Sequence, residues 1–252
     1  MHIAIVQHEI EWESPERNFE ALRPLIDEAA ATGAELITLT ETFSWGFSMN
    51  TDRVNEPVDG PSTQFLLGEA ARTGAWIVGS IPVRPAGAEL PHNRMTFAGP
   101  DGSVETYDKI HPFSFSGEDQ SYRAGSERRT MKIADLRITP FVCFDLRFAD
   151  EFWDLAPTTD CYLIVANWPA SRRAHWQHLL LARAIENQAW VVAANRVGSD
   201  PNVDYAGDSM IIDPFGEVVA RGDETTSIVS ADVDPERVSE IRTAYPFLED
   251  RR

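Results

Sequence analysis

The sequence predicts an α/β fold, and three observations carry the prediction. Short apolar runs rich in β-branched residues alternate with segments of helical period along most of the chain. Helix boundaries have the matching chemistry: Ser14-Pro15-Glu16 and Asp234-Pro235 each open a helix, and Gly33 and Gly74 each close one. A hydrophobic fraction of 43% over 252 residues is enough for a large core.

Residues 3–6 form the first strand, and a helix from Pro15 to Gly33 follows with Ser14 as its N-cap. Residues 36–40 are the next strand, with Glu41 at its C-terminal end. A helix near Pro61-Ser62 runs to Gly74, and residues 76–80 return as a strand. Residues 93–98 and 103–107 flank Gly99-Pro100-Asp101-Gly102, the signal of a hairpin. Past an irregular stretch, Leu136–Val142 is a strand that delivers Cys143, and residues 148–156 are helical. The strand Cys161–Ala166 comes next, then a long helix from about Arg173 to Gln188 and a strand at 191–194. Residues 209–213 and 217–220 pair around Pro214-Phe215-Gly216, and a last helix begins at Asp234-Pro235. No linker, repeat or low-complexity tract interrupts the series, so residues 1–252 read as one domain.

Charge and cysteine content narrow the function. With 22 Lys and Arg against 40 Asp and Glu, the formal charge is −18, and no basic stripe offsets it. Such a surface repels a phosphate backbone, which excludes nucleic-acid binding. No apolar run approaches the roughly 20 residues needed to cross a bilayer, and Met1 leads directly into a strand, so a cytoplasmic protein is expected. Cys143 and Cys161 are too few for a disulfide scaffold and wrongly spaced for zinc.

A polar residue at a strand's C-terminal end, before a loop, is placed to face a cleft. Glu41 and Cys143 both stand there, and Lys109 ends the second hairpin strand; taken singly, a solvated loop carboxylate, a small buried hydrophobe and a solvated lysine are their ordinary readings. Around Cys143 a strand, a turn and a helix succeed one another, an arrangement that lifts a nucleophile to a rim and aims main-chain N–H groups at it. Cys161, inside an apolar run, reads as a small core residue. A thiol also needs a base or a cation. The six histidines offer no clear partner: His175 and His178 share a helix face that suits packing, and His111 lies beside Lys109.

In this chain order, Glu41 in Leu39-Thr40-Glu41-Thr42-Phe43, Lys109 in Tyr107-Asp108-Lys109-Ile110-His111 and Cys143 in Cys143-Phe144-Asp145-Leu146-Arg147-Phe148 resemble the Glu-Lys-Cys triad of the nitrilase superfamily of carbon–nitrogen hydrolases. Downstream, Asn167-Trp168-Pro169-Ala170-Ser171-Arg172, His175-Trp176 and the stretch from Ala182 to Gln188 look like the omega-amidase branch, which removes the terminal amide of dicarboxylic acid monoamides such as 2-oxoglutaramate and 2-oxosuccinamate. The resemblance spans nearly the whole chain. Three departures stand out: Thr139-Pro140 on the approach to the cysteine, which predicts a locally irregular strand, Phe144 for a common tyrosine, and Ala149 for a common proline.

The resemblance implies a four-layer α-β-β-α sandwich that dimerises through a helical layer. It also implies a second glutamate after the lysine, for which Glu118 is the best match and Asp119 and Glu127 are rivals. The implied chemistry is amide hydrolysis through a cysteine thioester, with Glu41 moving protons and Lys109 and the backbone N–H of Phe144 holding the oxyanion. Neither a metal nor an organic cofactor is required. The partner is a small-molecule amide, and its carboxylate needs a local cation: Arg172 is the candidate, with Arg147 and Arg173 as alternatives. Phe43, Trp45, Phe47 and Trp168 are expected to wall the pocket. A nitrilase, an aliphatic amidase and an N-carbamoyl hydrolase share the triad, although true nitrilases generally carry Trp-Glu after the cysteine, where this chain has Phe144-Asp145. A catalytically idle scaffold is the alternative of a different class, and an intact Glu-Lys-Cys set argues against it.

Overall fold

Alternation of side chains along the strands sorts the apolar residues into two cores, and a computed structural model describing residues 1–251 shows where each lies. β1 (His2–Gln7), α1 (Pro15–Ala31), β2 (Leu36–Thr38), α2 (Pro61–Thr73) and β3 (Trp76–Val83) form two strand–helix–strand units, with the three strands parallel. β4 (His92–Ala98) and β5 (Val104–Asp108) extend this sheet as an antiparallel hairpin. After the short α3 (Glu118–Ser121), the second half repeats the scheme. β6 (Met131–Ile133) pairs antiparallel with β7 (Leu136–Val142), and β7 runs parallel to β8 (Cys161–Ala166) and then β9 (Trp190–Asn195), with α4 (Ala149–Leu155) and α5 (Arg173–Asn187) as the connections. β10 (Val197–Ser199) and β11 (Asp204–Ala206) make a separate hairpin. β12 (Met210–Ile212) and β13 (Val218–Arg221) close the second sheet, β14 (Ser227–Asp232) returns to pair antiparallel with β1, and α6 (Pro235–Ala244) follows.

The sheets therefore read β14-β1-β2-β3-β4-β5 and β13-β12-β9-β8-β7-β6. In β1, Ile3 and Ile5 join the core between the sheets, whereas Ala4 and Val6 join the core under α1 and α2; Leu36 and Ile37 divide in the same way in β2. Strands β7 to β9 are buried along almost their whole length, as expected for parallel strands covered on both faces. The result is the α-β-β-α sandwich, with α1 and α2 on one outside and α4 and α5 on the other.

Three details depart from the sequence reading. Strands β6, β10, β11 and β14 were invisible to periodicity because they are short or only half buried. Pro140 does not interrupt β7: the pairing with β8 passes through Pro140 and Leu163 in register, and β6 has already ended opposite Ile138. Ser14 occupies the N-cap of α1, but its side chain makes no capping hydrogen bond.

Candidate active site

Glu41, Cys143 and Asn167 follow the C-terminal ends of the parallel strands β2, β7 and β8, so the topology alone brings them to one end of the sandwich. Lys109 arrives from the other direction, directly after β5, its backbone N–H held by the carbonyl of Asn93 at 3.0 Å. Glu118 opens α3.

These groups form one buried polar cluster. Glu41 and Glu118 are 0% exposed and Lys109 is 2% exposed. The Lys109 ammonium donates to Oε1 of Glu41 at 3.0 Å and to both oxygens of Glu118 at 3.0 and 2.8 Å. Counting the two Glu118 contacts as one shared hydrogen bond, Nζ keeps one N–H for a further acceptor. Burial by itself would lower the lysine pKa, but the charges of Glu118 and Glu41 outweigh it and hold the ammonium protonated, above its ordinary value. Glu118 moves up, because burial and the neighbouring Glu41 outweigh Lys109. Its Oε2 also accepts the backbone N–H of Phe113 at 2.5 Å.

Glu41 is saturated on one side only. Its Oε1 accepts from Lys109 and from the side chain of Asn93 at 2.8 Å. Its Oε2 accepts a single hydrogen bond, from the backbone N–H of Asn167 at 2.8 Å. With two lone pairs per oxygen, Oε2 is the atom with room to take a proton. Asn167 grips the same residue again, donating from Nδ2 to the Glu41 carbonyl at 3.0 Å and to the Thr42 hydroxyl at 2.9 Å.

Cys143 sits at the turn from β7 into a short 3-10 helix with φ of +47°, a left-handed conformation that costs a non-glycine residue about 1–3 kcal/mol. Asp145 braces that turn. Fully buried, it accepts the N–H of Val142 at 2.9 Å, the N–H of His111 at 2.8 Å and the hydroxyl of Tyr107 at 2.8 Å. The N–H of Phe144 lies in the first turn of the helix, where no intrahelical acceptor exists. Burial, then the Glu41 carboxylate, push the Cys143 thiol well above its usual range, against the opposing pull of Lys109. The resting group is a thiol, so attack requires transfer of its proton in the same step.

Cys143 lies at the base of a cavity of about 280 Å³. Phe47, Phe144 and Trp168 wall it, and Arg147 and Arg172 reach its rim. Among the described residues neither guanidinium is paired with a carboxylate: Arg147 stacks over Trp168 at 4.9 Å, with Nη2 3.1 Å from His175, and Arg172 stacks over Phe113 at 5.3 Å. Both guanidiniums line the same cavity, and burial, then the charge of Arg172, lower the Arg147 pKa. Arg173 is not available, being paired with Asp208 and Glu224.

Two expectations about the wall are corrected. Phe43 does not reach the cavity: fully buried, it packs under α1 and α2 against Phe19 and Phe65, where its loss costs about 3–5 kcal/mol of stability. Trp45 points its indole N–H to Glu56 at 2.7 Å. Trp12, Met49, Val203 and Tyr205 line the cavity instead, contributed by segments with no sequence signal. Asn93 was missed too, since an asparagine inside a strand carries no motif, and Asn167 entered only as part of the Asn167–Arg172 block, without its role of holding Glu41. Asp119 and Glu127, the rivals to Glu118, are exposed. Among the described residues no group of His, Cys, Asp and Glu is arranged to hold a metal.

A base with one free lone pair, a thiol, an ammonium with one free N–H and a backbone N–H together suit acyl transfer. The comparisons agree with that chemistry. The carbon–nitrogen hydrolase family model matches residues 2–243. The chain is 36% identical over 258 residues to the omega-amidase YafV of Yersinia enterocolitica, covering 99% of this chain and 96% of that protein. It is 34% identical over 257 residues to the 2-oxoglutaramate amidase of Bacillus subtilis, covering 99% and 97%. Among solved structures, a CN-hydrolase superfamily protein of Xanthomonas campestris with an arsenic adduct in its active site superposes with a TM-score of 0.94 at 38% identity, covering 100% of this chain and 97% of that one.

Proposed function

This chain belongs to the carbon–nitrogen hydrolase family, and from that premise we propose that it is an omega-amidase, releasing ammonia from the terminal amide of a small dicarboxylic acid monoamide of the 2-oxoglutaramate type. The observation that carries the substrate class is the pair of guanidiniums, Arg147 and Arg172, free of carboxylate partners at the mouth of the cavity that ends on Cys143. In a protein of charge −18, a cavity lined by two guanidiniums without carboxylate partners and by the single carboxylate of Asp200 is net positive, which suits a ligand with its own carboxylate.

In this reading Glu41 Oε2 takes the proton of Cys143 as sulfur attacks the amide carbonyl. The oxyanion is held by the remaining N–H of Lys109 and the N–H of Phe144. Collapse breaks the carbon–nitrogen bond, and Glu41 returns its proton to the departing ammonia. Water then attacks the thioester with Glu41 as base, releasing the dicarboxylate and restoring the thiol. Glu118 holds Lys109 charged and in place. No step calls for a metal or an organic cofactor.

The same reading treats the chain as one hydrolase domain working in the cytoplasm; no described helix is long and apolar enough to cross a membrane. It also pairs two copies through the α5 layer. Supporting this, Ile185, Phe215, Tyr245 and Phe247 are exposed apolar side chains on that side, the last three with rings 5.4 and 5.8 Å apart in succession. Ammonia release from 2-oxoglutaramate, a neutral aliphatic amide, a nitrile and a carbamoyl amino acid tests the assignment. The monoamide is expected to have the highest kcat/KM, and preference for any of the others would overturn it.

A further inference from the structure

A second cavity, of about 400 Å³, lies at the outer edge of the first sheet, where residues 123–129 fold back over β4 and β5. Its lining shares no residue with the cavity above Cys143. Apart from Tyr107, whose hydroxyl is spent on Asp145, its charged and titratable groups are His92, Arg94, Asp108, Arg123, Glu127 and Arg129, so three guanidiniums line it with two carboxylates in a protein whose overall balance is strongly the reverse.

Hydrogen bonding leaves these cations with donors to spare. Arg94 engages Asp108 through Nε at 2.7 Å and Nη2 at 2.9 Å, while its Nη1 has no acceptor. Arg129 uses Nη1 on the Thr106 carbonyl at 2.8 Å and Nη2 on Glu105 at 3.2 Å. The guanidinium of Arg123 makes no hydrogen bond or ion pair among the described residues, although its backbone N–H is fixed on the Pro91 carbonyl at 2.8 Å. His92 Nδ1 is buried without a hydrogen-bond partner, 3.6 Å from Oδ2 of Asp108. A cavity whose walls offer unmatched guanidinium donors is complementary to an oxyanion.

The wall is built rather than fortuitous. A Cβ at Gly125 would stand 2.2 Å from the Asp108 carbonyl oxygen, so only glycine lets this segment press so closely on the strand end. Gly125 also donates its N–H to the carbonyl of Lys109 at 2.8 Å. The floor of this cavity and the lysine of the buried cluster are thus neighbours on one backbone.

We propose that this cavity is a second, non-catalytic binding site for a small inorganic dianion of the size of phosphate, held by Arg94, Arg123 and Arg129. Isothermal titration of the full-length protein with inorganic phosphate tests it. One saturable site is expected, weakened about tenfold or more by Arg123→Gln and changed less than about twofold by Arg172→Gln, which removes a cation from the other cavity. Ammonia release in the absence of added anion is expected to be unchanged in Arg123→Gln. No saturable phosphate binding at millimolar concentration, or phosphate binding lost in Arg172→Gln and kept in Arg123→Gln, would overturn the proposal.

Discussion

Asn93 holds Glu41 and Glu118 at the same time, its side-chain amide donating to Oε1 of Glu41 at 2.8 Å and to Oε1 of Glu118 at 3.2 Å. Two buried carboxylates share one lysine, and this neutral donor stabilises the charge that Lys109 leaves uncompensated. Asn93→Ala is expected to lower kcat about 10- to 100-fold and stability by about 1–3 kcal/mol. Asn93→Asp adds a third carboxylate and is expected to be worse in both; urea denaturation and steady-state ammonia release measure the pair.

Lys109 has a structural cost attached to its removal. Lys109→Met leaves two buried carboxylates without a cation, so a loss of about 3–5 kcal/mol is expected beside a rate loss of about 10²–10³. The double variant Lys109→Met with Glu118→Gln is expected to recover most of the stability and none of the rate. Recovery of turnover in the double variant would remove Lys109 from the oxyanion role.

Arg172 should act on binding and should depend on the substrate's charge. For a dicarboxylic monoamide, Arg172→Gln is expected to raise KM about tenfold or more with kcat little changed. For a neutral amide such as butyramide the change is expected to stay within about twofold. Equal effects on both substrates would assign Arg172 to packing against Phe113 instead.

His8 links the site to acid stability. Its Nε2 lies 3.1 Å from the Thr40 hydroxyl, one residue before Glu41. Burial, and the charge of Arg196, push its pKa from 6.5 down to about 4, against the hydrogen bond to the Glu9 carbonyl. Between those values the unfolded chain binds a proton that the folded chain refuses, so stability is lost as pH falls from 6.5 to about 4. The slope from this group is about 1.4 kcal/mol per pH unit, and about 3 kcal/mol in all. His8→Gln is expected to flatten the acid limb of stability by that amount in denaturation series across this range.

Much of the fold and the centre of the site were legible because their signals are local. Strand runs and helix caps put Glu41, Lys109 and Cys143 at the ends of predicted strands, the family resemblance of the motifs around them singled the three out, and in the structure Lys109 bonds to both Glu41 and Glu118 beside Cys143. What the sequence withheld depends on tertiary approach. Phe43 and Phe47 are four residues apart with similar neighbours, yet one faces α1 and α2 and the other the cavity. Thr42, a β-branched residue held at φ of +42° beside Glu41, follows no local preference. The Asn167 bonds to Glu41 span 126 positions of sequence.

In the proposed mechanism Cys143 carries the acyl group of a dicarboxylic monoamide during turnover. Acid-quenched mass spectrometry of the protein mixed with 2-oxoglutaramate tests it most directly. A mass increment of the thioester acyl group is expected on the Cys143 peptide, retained in Cys161→Ala and absent in Cys143→Ala together with ammonia release. Ammonia release that persists in Cys143→Ala, or an increment that maps to Cys161, would contradict it.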